Sequence, residues 1–163
     1  MDGPASDPRA FRIRPGRMAE KAALEALQMR ASLEGGAYRD ALLAHPEVVE
    51  IPEAQLSASQ VLVAETDGST PRFAVLGFAA LAFADDGTVE LDGLFVEPGA
   101  WRRGVGRALV AAGEALARAR GAQVMIVVAN PDARAFYLRC GFVETGTAET
   151  LFGPALAMRK TLA

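Results

Sequence analysis

The segment Trp101–Leu109, WRRGVGRAL, follows an apolar run and combines two glycines with three arginines. The first N–H groups of a helix have no partner within the helix, and the helix dipole adds positive charge at that end. Glycines allow a ligand to approach the backbone, and arginines supply full positive charges. The pattern predicts a phosphate or pyrophosphate site at the start of a helix. The residues of this predicted site are Arg102, Arg103, Gly104, Val105, Gly106 and Arg107.

A pair of glycines is weak evidence by itself, because it also fits a simple turn with solvated arginines. Two familiar phosphate sites are excluded by the residues. A nucleotide-hydrolysing loop needs Lys and Ser or Thr after its last glycine, where this chain has Arg107 and Ala108. A dinucleotide fold expects a third glycine where Leu109 stands, and a motif on the first strand of a mainly parallel sheet.

A second segment, Asn130–Phe142, reads NPDARAFYLRCGF. Asn130 suits the N-cap of a helix and Pro131 its first position, so a helix is predicted to begin there and to end at Gly141. Tyr137 lies on the apolar face of that helix. It fits either a reacting group or a core aromatic residue whose hydroxyl contacts water.

The elements that must position these segments follow from periodicity. A helix is predicted from about Gly104 to Arg120, followed by a continuous β-branched strand, Gln123–Ala129, buried on both faces. Asp85-Asp86-Gly87 predicts a hairpin turn. Further strands are predicted at Phe11–Arg14, Val61–Glu65, Phe73–Phe83, Thr88–Val96, Phe142–Thr147 and Leu151–Leu162, and helices at Met18–Ala31 and Ala37–Ala44.

The resulting order is β-α-α-β-β-β-α-β-α-β-β. A strand, a long helix and a second strand in succession imply one parallel crossover in an otherwise antiparallel sheet. The predicted fold class is α/β, with a mixed, mainly antiparallel central sheet flanked by helices. Residues 1–9 are predicted to form a disordered arm, and residues 10–163 a single domain.

The strand Thr88–Val96 carries candidate acid–base groups. Glu90 and Asp92 alternate with apolar residues and share one face, and Gly93 then breaks the alternation. A glycine inside a strand often marks a bulge or a close approach by another molecule, so a bulge is predicted near Asp92–Gly93. Both carboxylates also fit solvent-facing or substrate-binding positions.

The two segments together resemble the GNAT acetyltransferase superfamily, which transfers an acyl group from coenzyme A to an amine. The resemblance covers Phe11–Leu162 and implies a similar fold. It departs at Trp101, where the family usually has Arg or Gln, and this change is expected to alter packing rather than to abolish binding. The resemblance implies that acetyl-CoA is the co-substrate. The residues that would hold it are Arg102, Arg103, Gly104, Val105, Gly106 and Arg107, together with Leu94, Phe95, Val96, Asn130 and Tyr137.

The resemblance also implies roles in catalysis. Tyr137 would protonate the departing thiolate, and a backbone N–H near Leu94–Val96 would face the thioester carbonyl. Glu90 is the first choice as base, acting through a water, with Asp92 as the alternative. Arg134 fits either a cofactor phosphate or a solvated position. Cys140 is expected to be a buried apolar residue, and His45 to belong to a loop near the acceptor.

The expected function is direct acetyl transfer to a primary amine in a ternary complex. The alternative is a non-catalytic acyl-CoA-binding sensor or interaction domain of the same fold. The acceptor is a small-molecule or protein amine, and a homodimer is left open.

The net charge of −3 argues against a nucleic-acid partner. A lone cysteine and the lack of a long apolar run lead us to expect a cytoplasmic protein without membrane contact, and a single histidine gives no prediction of a metal site.

Overall fold

A seven-stranded sheet forms the centre of the computed structural model, which describes residues 11–36, 38–66 and 75–162. Neighbouring strands are antiparallel except for one parallel pair, β4 and β5, and the strand order is β1-β2-β3-β4-β5-β7-β6. The strands are β1 (Phe11–Pro15), β2 (Val61–Thr66), β3 (Val75–Phe83), β4 (Thr88–Val96), β5 (Val124–Ala129), β6 (Val143–Thr150) and β7 (Gly153–Thr161).

Five α-helices flank the sheet. They are α1 (Lys21–Glu34), α2 (Arg39–Ala44), α3 (Glu53–Ser57), α4 (Val105–Ala119) and α5 (Arg134–Arg139). Single turns of 3-10 helix occur at Met18–Glu20, Pro46–Val49, Pro98–Ala100 and Pro131–Ala133. The predicted fold class and the parallel crossover are confirmed, whereas α3 was not predicted. The predicted arm at residues 1–9 and the first two residues of the predicted strand Phe73–Phe83 lie outside the described residues.

Two hydrophobic cores lie on opposite faces of the sheet, because alternate residues of β2, β3 and β4 point to opposite sides. One core packs α4 and α5 against the sheet and includes Leu109, Met125 and Phe142. The other packs α1 and α3 against the opposite face and includes Leu24 and Phe78. No helix among the described residues is long and apolar enough to cross a membrane.

The strands β4 and β5 pair over only three residues each and then separate. Their parallel register covers Thr88–Glu90 of β4 and ends at Ile126 of β5. On the other side of β4 the register with β3 shifts, because Ala80 faces Gly93 while the next residue of β3 faces Leu91. Asp92 is therefore the extra residue of a β-bulge, as predicted, and the bulge bends β4 away from β5.

The prediction that β5 is buried on both faces was wrong. Met125, Val127 and Ala129 are buried, but Val128 on the other face is 44% exposed. The reason is the separation from β4, which leaves the second face of β5 next to an opening in the sheet. An unbroken β-branched run cannot distinguish a strand covered on both sides from one that borders a cleft.

Candidate active site

A cleft of about 950 Å³ opens where β4 and β5 separate. It is lined from one face of the sheet by α4 and α5, and from the other by α1, α2 and the turn between β6 and β7. Ten of the eleven predicted cofactor residues line it, namely Leu94, Phe95, Val96, Arg102, Gly104, Val105, Gly106, Arg107, Asn130 and Tyr137. Arg103 is exposed and is not among the lining residues.

The start of α4 forms an open cradle within this cleft. Gly104 is the N-cap, with a left-handed φ of 79°, and a Cβ placed there would meet nothing within 4 Å. Arg102 is also left-handed, with a φ of 65°. At Gly106 a Cβ would come within 3.3 Å of the Phe136 ring, so this glycine lets α5 pack closely against α4. The cradle combines free helix N–H groups with the charges of Arg102 and Arg107, as an anion site requires.

The end of β4 presents unpaired backbone to the same cleft. The Glu97 N–H donates to the Leu76 carbonyl on β3, and Gly77 faces Val96. In an antiparallel pair this pattern places Val96 at a non-hydrogen-bonded position, so its N–H and carbonyl point away from β3, as do those of Leu94 two residues earlier. Within the described residues, β5 covers this edge only as far as Glu90.

Trp101 occupies part of that edge. Its indole Nε1–H donates to the Val96 carbonyl over 2.8 Å, and its ring lines the cleft. The Val96 N–H and both backbone groups of Leu94 remain on the open edge. Together with the cradle, this edge fits a ligand that joins a phosphate to a chain of amides, the two features that coenzyme A combines.

Tyr137 lies at the inner end of the cleft, on the side of α4 and α5. Its ring makes edge-to-face contacts with Phe136 and Phe142, at centroid distances of 5.0 and 5.5 Å. Burial, with a smaller effect of Cys140, raises the pKa of the Tyr137 hydroxyl far above its usual value. The hydroxyl is therefore protonated at neutral pH and can act as a proton donor.

The two predicted carboxylates share the face of β4 that packs against α1 and α3. Asp92, the bulge residue, lines the cleft and accepts a 3.1 Å hydrogen bond from the Gln55 side chain. The same Gln55 amide donates to the Leu81 carbonyl. Glu90 lies two residues before Asp92 on β4, farther from the cleft, and does not line it. Burial and the negative charge of Asp92 raise the pKa of Glu90.

Asn130 and Cys140 lie on either side of the segment that contains α5: Asn130 caps the 3-10 turn Pro131–Ala133, and Cys140 follows the last residue of α5. The Asn130 side chain accepts the backbone N–H of Asp132 over 3.0 Å, which confirms the predicted cap, and Asn130 also lines the cleft. Cys140 is half-buried at the other end and lines the cleft as well. Burial raises the pKa of its thiol. A thiol held in the protonated form is a poor nucleophile.

Two further residues considered from the sequence do not line the cleft. Arg134 forms an ion pair with Glu144 on β6. His45 lies beside Glu47, with 3.2 Å between its Nδ1 and the carboxylate. Across the part of the chain that the structure describes, no three His, Cys, Asp or Glu side chains are grouped as a metal site would need.

The side of the cleft away from the cradle is the acceptor half, by which we mean the lining residues Gln28, Ala31, Ser32, Gly35, Tyr38, Leu42, Val48, Val49, Asp92, Phe95, Asp132 and Phe152. The sequence did not indicate Asp132 or Phe152 for this side, nor Gln55, which donates a hydrogen bond to Asp92. Gln55 lies on the helix that was not predicted, and Phe152 reaches Tyr38 only through the tertiary fold, with ring centroids 5.4 Å apart. No local pattern in the sequence indicates such a pairing.

Comparison with known proteins agrees with this geometry. Residues 26–142 match the model of the Acetyltransferase (GNAT) family. The PaiA N-acetyltransferase of Thermoplasma acidophilum, solved in complex with coenzyme A, is 17% identical with a TM-score of 0.76, over 93% of this chain and 99% of that one. A GCN5-related N-acetyltransferase from Rhodopseudomonas palustris is 25% identical with a TM-score of 0.68, over 92% and 94%.

YncA of Salmonella typhimurium, solved with acetyl-CoA, is 22% identical with a TM-score of 0.66, over 94% of this chain and 95% of that one. No curated protein matches the sequence. The family match covers most of the chain and includes both the cradle and the Asn130–Phe142 segment. The chain belongs to the acetyltransferase (GNAT) family.

Proposed function

We propose that the protein transfers an acetyl group from acetyl-CoA to a primary amine by direct attack in a ternary complex. One observation carries the proposal: a single cleft joins the anion cradle at Gly104 to Tyr137 and to the carboxylate of Asp92. The two substrates can thus approach from opposite faces of the sheet and meet at the gap between β4 and β5. Relatives solved with coenzyme A or acetyl-CoA support the choice of donor.

The cradle and the open edge of β4 would hold the donor. Arg102, Arg107 and the first N–H groups of α4 would bind the pyrophosphate, and the backbone of Leu94 and Val96 would bind the amide chain. Acetyl-CoA supplies an activated thioester. A backbone N–H from the open edge is the donor available to the thioester oxygen as it gains negative charge, and such a donor contributes about 3 kcal/mol.

Proton transfer would use groups on both sides of the gap. Tyr137 donates a proton to the departing sulfur, since its hydroxyl remains protonated at neutral pH. Asp92 lines the cleft and binds the incoming amine. Glu90, with its raised pKa and its place behind Asp92, accepts the amine proton through a water. Direct attack is favoured because Cys140 is the only cysteine in the chain and its thiol pKa is raised.

Release of free thiol from acetyl-CoA in the presence of a panel of amines tests the proposal. We expect amine-dependent thiol release, and a fall in kcat of about 100-fold in Tyr137→Phe with little change in the Kd for coenzyme A. Binding of coenzyme A without thiol release for any amine, together with no effect of Tyr137→Phe on the background rate, would instead indicate a non-catalytic binding domain.

A further inference from the structure

The charges that line the cleft are separated by sign. The arginines lie at the start of α4, as Arg102 and Arg107, and at the far end of α5, as Arg139. The acceptor half contains Asp92 and Asp132 and no cationic side chain among its lining residues. Asp132 lies in the 3-10 turn before α5 and Arg139 is the last residue of α5, so the two charges lie at opposite ends of this segment. An acceptor with positive charge is favoured at the acid-lined end.

The carboxylate of Asp132 is not used by its own helix. The backbone N–H of Asp132, not its side chain, takes part in the Asn130 cap. No described residue forms an ion pair with this carboxylate, whereas Asp92 already accepts a hydrogen bond from Gln55. Asp132 therefore presents a free negative charge at the wall of the cleft.

An aromatic pair lines the same half of the cleft as this carboxylate. Tyr38, between α1 and α2, contacts Phe152, in the turn between β6 and β7, with an angle of 36° between the rings. Tyr38, Phe152 and Asp132 line the same cleft, and burial, with the charge of Asp132 adding to it, raises the pKa of the Tyr38 hydroxyl. Aromatic faces attract cations, and a carboxylate beside them strengthens the attraction.

The other side chains that line the acceptor half are mainly apolar. Leu42, Val48 and Val49 line the acceptor half from α2 and the following 3-10 turn, and Phe95 lines it from β4. Such walls favour a methylene chain over a polar backbone or a sugar, because methylene groups gain free energy by leaving water. The acceptor half thus combines two carboxylates, apolar walls and an aromatic pair.

From this arrangement, and resting on the proposed function, we infer that the acceptor is an alkyl diamine or a longer polyamine. One amino group lies beside Asp92, and a second, still protonated, is held by Asp132 against the Tyr38–Phe152 pair. In the reaction the neutral amine forms a C–N bond to the acetyl carbon while the C–S bond breaks. The nitrogen loses one proton to Glu90 through water, and the thiolate gains one from Tyr137.

Three acceptors matched in length test the inference: 1,4-diaminobutane, n-butylamine and 4-aminobutyrate, with diamines of three to eight carbons to find the preferred spacing. They differ only in the group at the far end, which is positive, neutral or negative. We expect kcat/KM to fall in that order, with about a fivefold advantage of the best diamine over the monoamine of equal length, because Asp132 is exposed to solvent and water weakens its attraction for the second amine.

Asp132→Asn should remove this advantage, lowering kcat/KM for the diamine while leaving that for n-butylamine within about twofold. The matched control is Asp85→Asn in the exposed turn between β3 and β4, which removes the same charge outside the cleft and should keep the preference. Equal or better use of n-butylamine or 4-aminobutyrate overturns the inference and leaves the proposed function standing, as does an equal loss for both amines in Asp132→Asn. Absence of thiol release with every amine overturns the proposed function as well.

Discussion

The indole N–H of Trp101 donates a hydrogen bond to the carbonyl of Val96, the last residue of β4 before the cradle. The side chain thus spans the loop between the strand that would bind the amide chain of the donor and the helix that would bind its phosphates. Trp101 stands where the family usually has Arg or Gln, and its indole forms a hydrogen bond directly to the open edge of β4. Trp101 is nevertheless 45% exposed in the free protein.

This placement predicts that tryptophan fluorescence reports donor binding. The chain contains one tryptophan, so all of the signal comes from the cleft. Coenzyme A in the cradle would shield the Trp101 ring from water, and we expect the emission to shift to shorter wavelength as the ligand saturates. Trp101→Phe should lose the signal. Unchanged emission while calorimetry shows saturation would contradict the placement of the ligand beside this ring.

A second prediction concerns the left-handed glycine of the cradle. Gly104→Ala meets no steric obstacle, so its cost is that of the backbone conformation, about 1–2 kcal/mol. We expect a lower free energy of unfolding in urea and a weaker affinity for coenzyme A, because the N–H groups at the start of α4 must shift to relieve the strain. Gly99→Ala, in the same loop, with open space around it and without a left-handed φ, is the matched control and should change neither quantity.

A third prediction concerns the pH dependence of the reaction. Since burial and Asp92 raise the pKa of Glu90, the acidic limb of kcat/KM should have an apparent pKa above the usual value of glutamate, about 4.3. Asp92→Asn removes the neighbouring negative charge, which lowers the pKa of Glu90 and moves the limb to lower pH. Glu90→Gln should abolish the limb.

The profiles of the wild type and both variants are to be measured with one acceptor, so that the titration of the amine itself is common to all three. If the limb survives in Glu90→Gln and vanishes in Asp92→Asn, Asp92 is the base and Glu90 has a different role.

A fourth prediction concerns stability and involves the other end of the sheet. Glu65 on β2 is 3% exposed and pairs with Arg12 and Arg14 of β1, at 2.7 and 3.0 Å. Arg14 also pairs with Glu20 at 2.8 Å. Burial disfavours the charge of Glu65, but the hydrogen bonds from the two arginines outweigh it, so the pKa of this carboxyl is lowered.

A carboxyl with a lowered pKa stabilises the fold above its pKa in the unfolded chain, and the stabilisation is lost as the pH falls through its pKa in the folded chain. Glu65→Gln should therefore reduce the free energy of unfolding at pH 7 by about 1–3 kcal/mol. The difference from the wild type should shrink below the usual glutamate pKa. Glu149→Gln, on the exposed edge strand β6, should have no comparable effect at either pH. A difference that is independent of pH would mean that the charge of Glu65 is not what stabilises β1.

The sequence predicts features that depend on local spacing. The start of a helix at Gly104, the cap at Asn130 and the bulge at Asp92 each follow from the conformational demands of one or two residues, and the structure has all three. The bounds of β4 also match, because a clear turn precedes it and a proline follows it.

Features that depend on distant segments could not be predicted. The exposure of Val128 depends on where β4 leaves β5, and the contact of Tyr38 with Phe152 joins residues 114 positions apart. Glu90 and Asp92 look equivalent in the sequence, because both alternate with apolar residues. Only the end of the β4–β5 pairing at Glu90 places one beside the cleft and the other behind it.

The gap between β4 and β5 has a consequence for how the protein avoids aggregation. A row of unpaired backbone groups at the rim of a sheet is a template for another chain, and proteins commonly protect such rims with charges or bulges. Here the open row, which consists of both backbone groups of Leu94 and the N–H of Val96, lies in the middle of the sheet, with helices over both faces. A strand of another protein would have to enter the cleft between those helices to pair with this row, which is not so at an outer edge of a sheet. The position of the row inside the sheet therefore protects it without the charges that an outer edge needs.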